Sequence, residues 1–266
     1  MKIGRIISFV SVKGGVGKTT ISLETAVCLA NEFNKRVLLI DGNISAPNVG
    51  LYLDLTHKTS LQDVLNGTSF QNAVYECYGV DVIPAALNNY DKTDILKLKR
   101  IVEKIKNRYD FIILDSSPHY SEMIPIVAAS EMIFVVTTPD TVTLNTSLKA
   151  AKLARQNGTP IEGIIVNRIK DPLYEMNCEE IEWTSGLPVI GKIKEEKKMI
   201  QCLFYKKPLM IQNPKSKSSE EIRKICQMFS GEIEKRNWFV EKFLKNSERS
   251  MRKERVNREL LRKKMY

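Results

Sequence analysis

The chain has little with which to hold a transition metal. Its 266 residues contain two histidines, His57 and His119, and five cysteines, Cys28, Cys77, Cys178, Cys202 and Cys226, odd in number and widely scattered. No C-x-C or C-x-x-C pair supplies metal-ligand spacing, and two histidines cannot build a zinc site without thiolate help. The cysteines read as reduced, mostly buried cytosolic thiols and the histidines as loop residues, although spacing alone leaves open a cluster bridged between two subunits. Also missing is any 18-residue apolar stretch, which excludes a membrane-spanning helix. The start, Met1-Lys2-Ile3-Gly4-Arg5, runs directly into an apolar segment without signal-peptide anatomy, so a cytoplasmic location is expected.

Charge is present in excess but unevenly. The formal net charge is +10, and residues 245–266 hold nine Lys/Arg against Glu248, Glu254 and Glu259, so 9 − 3 = +6 lies in the last 22 residues and +4 in the preceding 244. The basic character belongs largely to a tail. At about 100° per residue, Ile233, Phe239, Val240, Phe243 and Leu244 share one helical face, while Glu234, Glu241, Lys242 and Lys245 lie on or near the other. Trp238 sits at the boundary. Such a face suits a bilayer interface, packing on a domain or protein partner, or a role at DNA. From Glu248 onward, Glu248/Arg252, Glu254/Arg258 and Glu259/Lys263 fall in the favourable i,i+4 order of a solvated helix. Its basic residues would equally neutralise phosphates of lipid or DNA.

Ahead of the tail, apolar runs bounded by turn residues alternate with helical patterns. Strands are expected at Ile6–Val10, Val37–Ile40, Val80–Ile83, Phe111–Leu114, Ile133–Val136, Ile164–Val166 and Val189–Ile193. Helices are expected at Thr19–Asn31, Asp94–Lys106, Thr143–Gln156 and Glu220–Phe229, the last with Ile222, Ile225, Cys226 and Phe229 on one face. This is a doubly wound α/β domain with a mostly parallel sheet over residues 1–232, followed by a C-terminal helical extension over residues 233–266. Ligands of such sheets bind beyond the carboxyl ends of the strands.

At the first of those ends stands Lys13-Gly14-Gly15-Val16-Gly17-Lys18-Thr19-Thr20, between a strand and a helix. The P-loop form G-x-x-x-x-G-K-[ST] is met loosely at its start. Gly14, Gly15 and Gly17 let backbone N–H groups curl round an anion, Lys18 would meet the β and γ oxygens of a triphosphate, and Thr19 would ligate Mg²⁺. The loop implies ATP binding. A second lysine, Lys13, precedes the glycines, where a spare cation is not needed to fold a turn.

Lys13, Lys18 and the segment Asp41-Gly42-Asn43-Ile44-Ser45-Ala46-Pro47-Asn48 resemble the MinD/ParA family of deviant Walker A ATPases. The resemblance covers about residues 3–230 and includes Asp110-Phe111-Ile112-Ile113-Leu114-Asp115-Ser116-Ser117-Pro118 as Walker B strand and switch II, and Ile164-Ile165-Val166-Asn167-Arg168 as the base-recognition strand. The layout is closest to the MinD branch, whose pattern also matches Pro47-Asn48-Val49-Gly50-Leu51, Leu61-Gln62-Asp63-Val64-Leu65-Asn66-Gly67 and Val82-Ile83-Pro84.

The resemblance implies that Gly14, Gly15, Val16, Gly17, Lys18, Thr19 and Thr20 bind phosphate, that Asn167 and Arg168 meet the base, and that Thr19, Asp41 and Asp115 serve Mg²⁺. Lys13 would reach across to the nucleotide of a second copy, so that ATP holds a homodimer together. Lys13, Lys18 and Asn43 are the candidates for catalysis. A short C-terminal membrane helix is a feature of the MinD branch, which places the protein peripherally at the inner face of the membrane. An unidentified regulatory protein partner is also implied.

Two departures stand out. Asn43 occupies the position where the family usually has a second aspartate, and an amide cannot accept the proton of an attacking water; hydrolysis is expected to be slow or partner-dependent. Lys194 replaces a proline common at the adenine rim, which weakens base selectivity while leaving ATP favoured over GTP. Three readings follow: a MinD-like surface-associated ATPase, a ParA-like DNA-partition ATPase, or an ATP-clamped adaptor that does not turn over. An iron–sulfur carrier of the same superfamily is disfavoured by the absence of paired cysteines.

Overall fold

In the computed structural model, residues 4–87, 94–170 and 173–230 are described. They form eight strands, β1 (Arg5–Val10), β2 (Val37–Asp41), β3 (Tyr75–Cys77), β4 (Val80–Ile83), β5 (Phe111–Asp115), β6 (Met132–Thr137), β7 (Ile161–Ile169) and β8 (Val189–Lys194). Ten helices accompany them: α1 (Lys18–Asn31), α2 (Val49–Tyr52), α3 (Leu61–Leu65), α4 (Leu98–Ile105), α5 (Tyr120–Ala129), α6 (Thr141–Gln156), α7 (Cys178–Ser185), α8 (Lys197–Phe204), α9 (Leu209–Gln212) and α10 (Lys217–Ser230). The chain divides into two compact units, Met1–Cys226 and Gln227–Tyr266. Of the second, only the last turn of α10 is described. The expected amphipathic and basic segment at 233–266 lies outside the described residues. Among the described residues no helix is long and apolar enough to cross a membrane.

The strands form one sheet in the order β3-β4-β2-β5-β1-β6-β7-β8, parallel throughout except for the β3–β4 pair. Parallel strands covered on both faces need near-continuous apolar sequence, and Ile6, Ile7, Phe9 and Val10 of β1 are all fully buried. Ile6, Leu38, Ile40, Ile112 and Leu114 pack with Leu61, Leu98, Val102 and Ile126 from α3, α4 and α5. Farther along, Val10, Ile133, Val135, Ile164 and Val166 meet Met123, Leu144, Ala151 and Ile181 from α5, α6 and α7. Helix α1 packs on β1, β2 and β5. Because β1 sits between β5 and β6 while the chain winds away in both directions, the loop after β1 opens at the switch point where such sheets bind ligands.

The seven expected strands are all present; an eighth was not expected, and one expected helix is refined. The edge strand β3 is too short for a periodic signal; it pairs antiparallel with β4 through Tyr78-Gly79, both at positive φ, as tight hairpin turns require. The helix expected over Asp94–Lys106 is shorter, because Asp94 accepts the N–H of Leu96 and caps a 3-10 turn at Ile95–Lys97 before α4 begins. Ile222, Ile225 and Cys226 of α10 are buried as their spacing implies, whereas the Phe229 side chain lies outside the description.

Candidate nucleotide site

The loop between β1 and α1 makes two left-handed turns, at Gly15 (φ 77°) and Gly17 (φ 98°), a conformation that glycine adopts without steric cost. Gly17 is doubly constrained: a Cβ there would lie 2.2 Å from Nδ2 of Asn167. Val16 is buried and pins the loop, while Lys13, Gly14 and Gly15 are exposed at its crest. Gly17 begins α1 without a side-chain cap, so the first N–H groups of a 14-residue helix remain available to an anion.

Lys18 is 6% exposed and its Nζ donates to the carbonyl of Lys13 at 3.3 Å. Burial pushes its ammonium below the usual lysine range, and the carboxylate of Asp115 partly opposes this. Thr19 donates from Oγ1 to Oδ2 of Asp115 at 2.6 Å, and Ser22, one turn along α1, donates to Oδ1 at 3.0 Å. Thr20 is half-buried in the first turn.

Asp41 and Asp115 close β2 and β5 in direct register. Both are fully buried. Burial first, then the charge of Asp115, raises the Asp41 carboxyl above the carboxylate range; burial likewise raises Asp115, against the hydrogen bonds of Thr19 and the charge of Lys18. Asp41 is held by the loop that follows it, accepting N–H groups of Asn43 (3.1 Å), Asn48 and Val49 (both 3.0 Å). Gly42 must be glycine for space, since a Cβ would meet the Asp115 carbonyl at 2.6 Å.

Asn43 is 4% exposed; its Nδ2 donates to the Ala46 carbonyl, and its Oδ1 is buried without a hydrogen-bond partner. An orphaned acceptor of this kind costs about 1–3 kcal/mol unless a donor arrives with a ligand. Together with two carboxylates whose burial and mutual repulsion call for positive charge, it fits a site completed by a hydrated Mg²⁺ and a nucleotide. Thr19, Asp41 and Asp115 would hold the ion, which neutralises phosphate charge when bound.

Asn167 and Arg168 lie inside β7, which runs longer than expected. The register with β8 shifts between Val166 and Ile169, and Arg168 takes φ 58°. Such irregularities re-aim side chains. Asn167 thereby donates from Nδ2 to the carbonyl of Val16 at 2.8 Å, tying β7 to the loop between β1 and α1, while Arg168 is exposed.

The structure thus gathers Lys18, Thr19, Asp41, Asn43, Asp115 and Asn167 round one loop. Sequence reasoning missed Ser22, whose signal was its i+3 spacing from Thr19 on α1.

A switch-point glycine loop opening a helix, a buried lysine on the first turn and paired strand-end carboxylates define a P-loop nucleotide-binding protein of the α/β class. A family model described as an AAA domain matches residues 4–149. An uncharacterized ATP-binding protein of Methanocaldococcus jannaschii is 32% identical over 251 residues, spanning 90% of this chain and 95% of that protein. Among solved structures, the septum site-determining protein MinD complexed with Mg-ADP from Pyrococcus horikoshii aligns with a TM-score of 0.80 at 27% identity, over 85% of this chain and 95% of that one. A MinC:MinD cell division protein complex from Aquifex aeolicus gives 0.77 at 27%, over 86% and 96%. The chain belongs to the MinD/ParA family of P-loop ATPases.

Proposed function

We propose that this protein is a MinD-like ATP switch. It binds Mg·ATP, pairs with a second copy when ATP is bound, and associates through residues 233–266 with a membrane surface, where it positions a cell-division or other cellular assembly. The observation that carries the reading is the convergence of Lys18, Thr19, Asp41 and Asp115 under an exposed Lys13. The likeness to MinD solved with Mg-ADP supports the nucleotide and the ion, and the MinC:MinD complex supports a protein partner. One tail would bind a surface weakly; two in a dimer bind it firmly, which makes surface binding depend on nucleotide.

Asn43 favours a second form of this reading, in which ATP is held rather than turned over. Its amide orients a water but takes no proton from it, and general-base assistance is worth about 10²–10⁴-fold. Hydrolysis is therefore slow, or waits for a partner's group.

Sedimentation velocity with Mg·ATP or Mg·ADP, followed by co-sedimentation with anionic vesicles and with DNA, tests the proposal. A doubled mass and vesicle binding with ATP alone are expected. A monomer in both nucleotides contradicts it, and ATP-dependent pelleting with DNA but not vesicles moves the protein to the partition branch.

A further inference from the structure

Five residues beyond Thr19 on α1 lies a carboxylate that phosphate binding does not use. Glu24 is 1% exposed, and among the described residues no lysine or arginine pairs with it. Its two oxygens instead accept the N–H groups of Leu209 (2.7 Å) and Met210 (2.9 Å), the first two residues of α9. Burying a carboxylate without a cation is costly, and two backbone donors offset only part of that cost. So expensive a contact calls for a reason, and its place in the fold supplies one.

The segment that Glu24 grips is the far end of the base side. From β7, Ile169 accepts the N–H of Glu195, and Lys170 pairs with the Glu195 carboxylate at 3.1 Å. Lys194 and Glu196 are in turn bonded to Ser218 of α10. The chain then runs through α8 to α9, where Lys207 donates to the Cys202 carbonyl and Asn213 to the Cys202 thiol. The rim next to Asn167 and Arg168 is thus fixed at its start by β7 and α10, and at its finish by Glu24 on the helix that carries Lys18 and Thr19.

We infer that Glu24 is a positioning residue that tethers the base-side segment β8–α8–α9 to the P-loop helix, and so sets the affinity for the nucleoside half of the ligand independently of its phosphates. The inference rests on the nucleotide reading above. It separates two quantities that a merely structural role would move together. Loosening the tether leaves the loop and its lysine in place, so phosphate binding persists while the base loses its wall.

The test uses the full chain with Glu24→Ala and the near-isosteric Glu24→Gln, which keeps one acceptor oxygen. Calorimetric titration with Mg·ATP is set beside titration with magnesium and inorganic triphosphate, which has no base. In Glu24→Ala the dissociation constant for ATP is expected to rise about 10-fold, as loss of contacts worth about 1.4 kcal/mol would give, and that for triphosphate to change less than about 2-fold. Glu24→Gln should fall between. Without any ligand, amide hydrogen exchange at Leu209 and Met210 should accelerate in both variants. Equal weakening toward both ligands, or unchanged ATP binding, overturns the inference while the nucleotide reading stands. A wild-type chain that takes up neither ligand overturns the nucleotide reading and the base-side role together. Unaltered exchange at Leu209 and Met210 overturns the tether itself, whatever the binding data show.

Discussion

The proposed phosphate side and the proposed base side of the site are built differently. On the phosphate side, Lys18 and Thr19 open α1, Asp41 closes β2 and Asp115 closes β5. On the base side, Asn167 and Arg168 occupy a register shift, and the rim is held to α1 and α10 by bonds between side chain and backbone. The chemistry accounts for the contrast. A triphosphate with Mg²⁺ is the same object in every protein that binds it, and regular backbone ends supply its donors. A base must be recognised by shape and by a few polar edges, which irregular segments deliver and sequence change readily retunes.

If the phosphate side carries most of the binding, its removal should have the largest effect. Lys18→Ala is expected to weaken Mg·ATP about 10³-fold by calorimetry, since a buried cation aimed at phosphate is lost. Retention of affinity within about 10-fold would move the binding energy to the base side. Next comes Asn43→Asp, which supplies a proton acceptor where the orphaned Oδ1 now stands; ATP turnover should rise about 10²-fold, with little change in KM.

A smaller effect distinguishes the two buried carboxylate sites. Burial, partly offset by the Met210 and Leu209 N–H groups, raises Glu24 from 4.5 to about 7. The folded protein therefore keeps this proton over a window in which the unfolded chain has lost it. That contribution to stability is fully present below about pH 4.5 and is lost as pH rises through 7. Between pH 5 and 8 the loss is roughly 2 to 3 kcal/mol, read as the difference between wild type and Glu24→Gln in chemical denaturation. Cys202, the thiol near Glu24, is raised by burial and stays neutral across that window, so it adds no step of its own. Parallel pH profiles for the two proteins would remove Glu24 as the source. The smallest effect belongs to Asn167→Ala: about a 5-fold loss of ATP affinity, with a smaller loss for inorganic triphosphate, because Asn167 also braces the loop through the Val16 carbonyl.

The same contrast governs what was legible in the sequence. Lys13 to Thr20 is a contiguous motif after an apolar run, and Asp41 and Asp115 each end an apolar run, so these residues stood out in the sequence, whereas the direct register of the two carboxylates emerged only from the sheet. Ser22 and Glu24 did not stand out, because what they do depends on Asp115 and on Leu209, 93 and 185 residues away. Helix periodicity marks Glu24 only as a polar residue on a helix. The role of β3 was hidden by its length, and the break at Ile95–Lys97 by a cap that competes with a continuous helical pattern. Asn43 could be read as a departure from the family, but its unpaired Oδ1 emerged only from the fold.

Steady-state phosphate release from Mg·ATP, with wild type and Asn43→Asp side by side and Lys18→Ala as the blank, tests the central claim most directly. Slow turnover in the wild type that rises about 10²-fold in Asn43→Asp and vanishes in Lys18→Ala is the predicted result. Equal turnover in wild type and Asn43→Asp would contradict it, placing control of hydrolysis somewhere other than the end of β2.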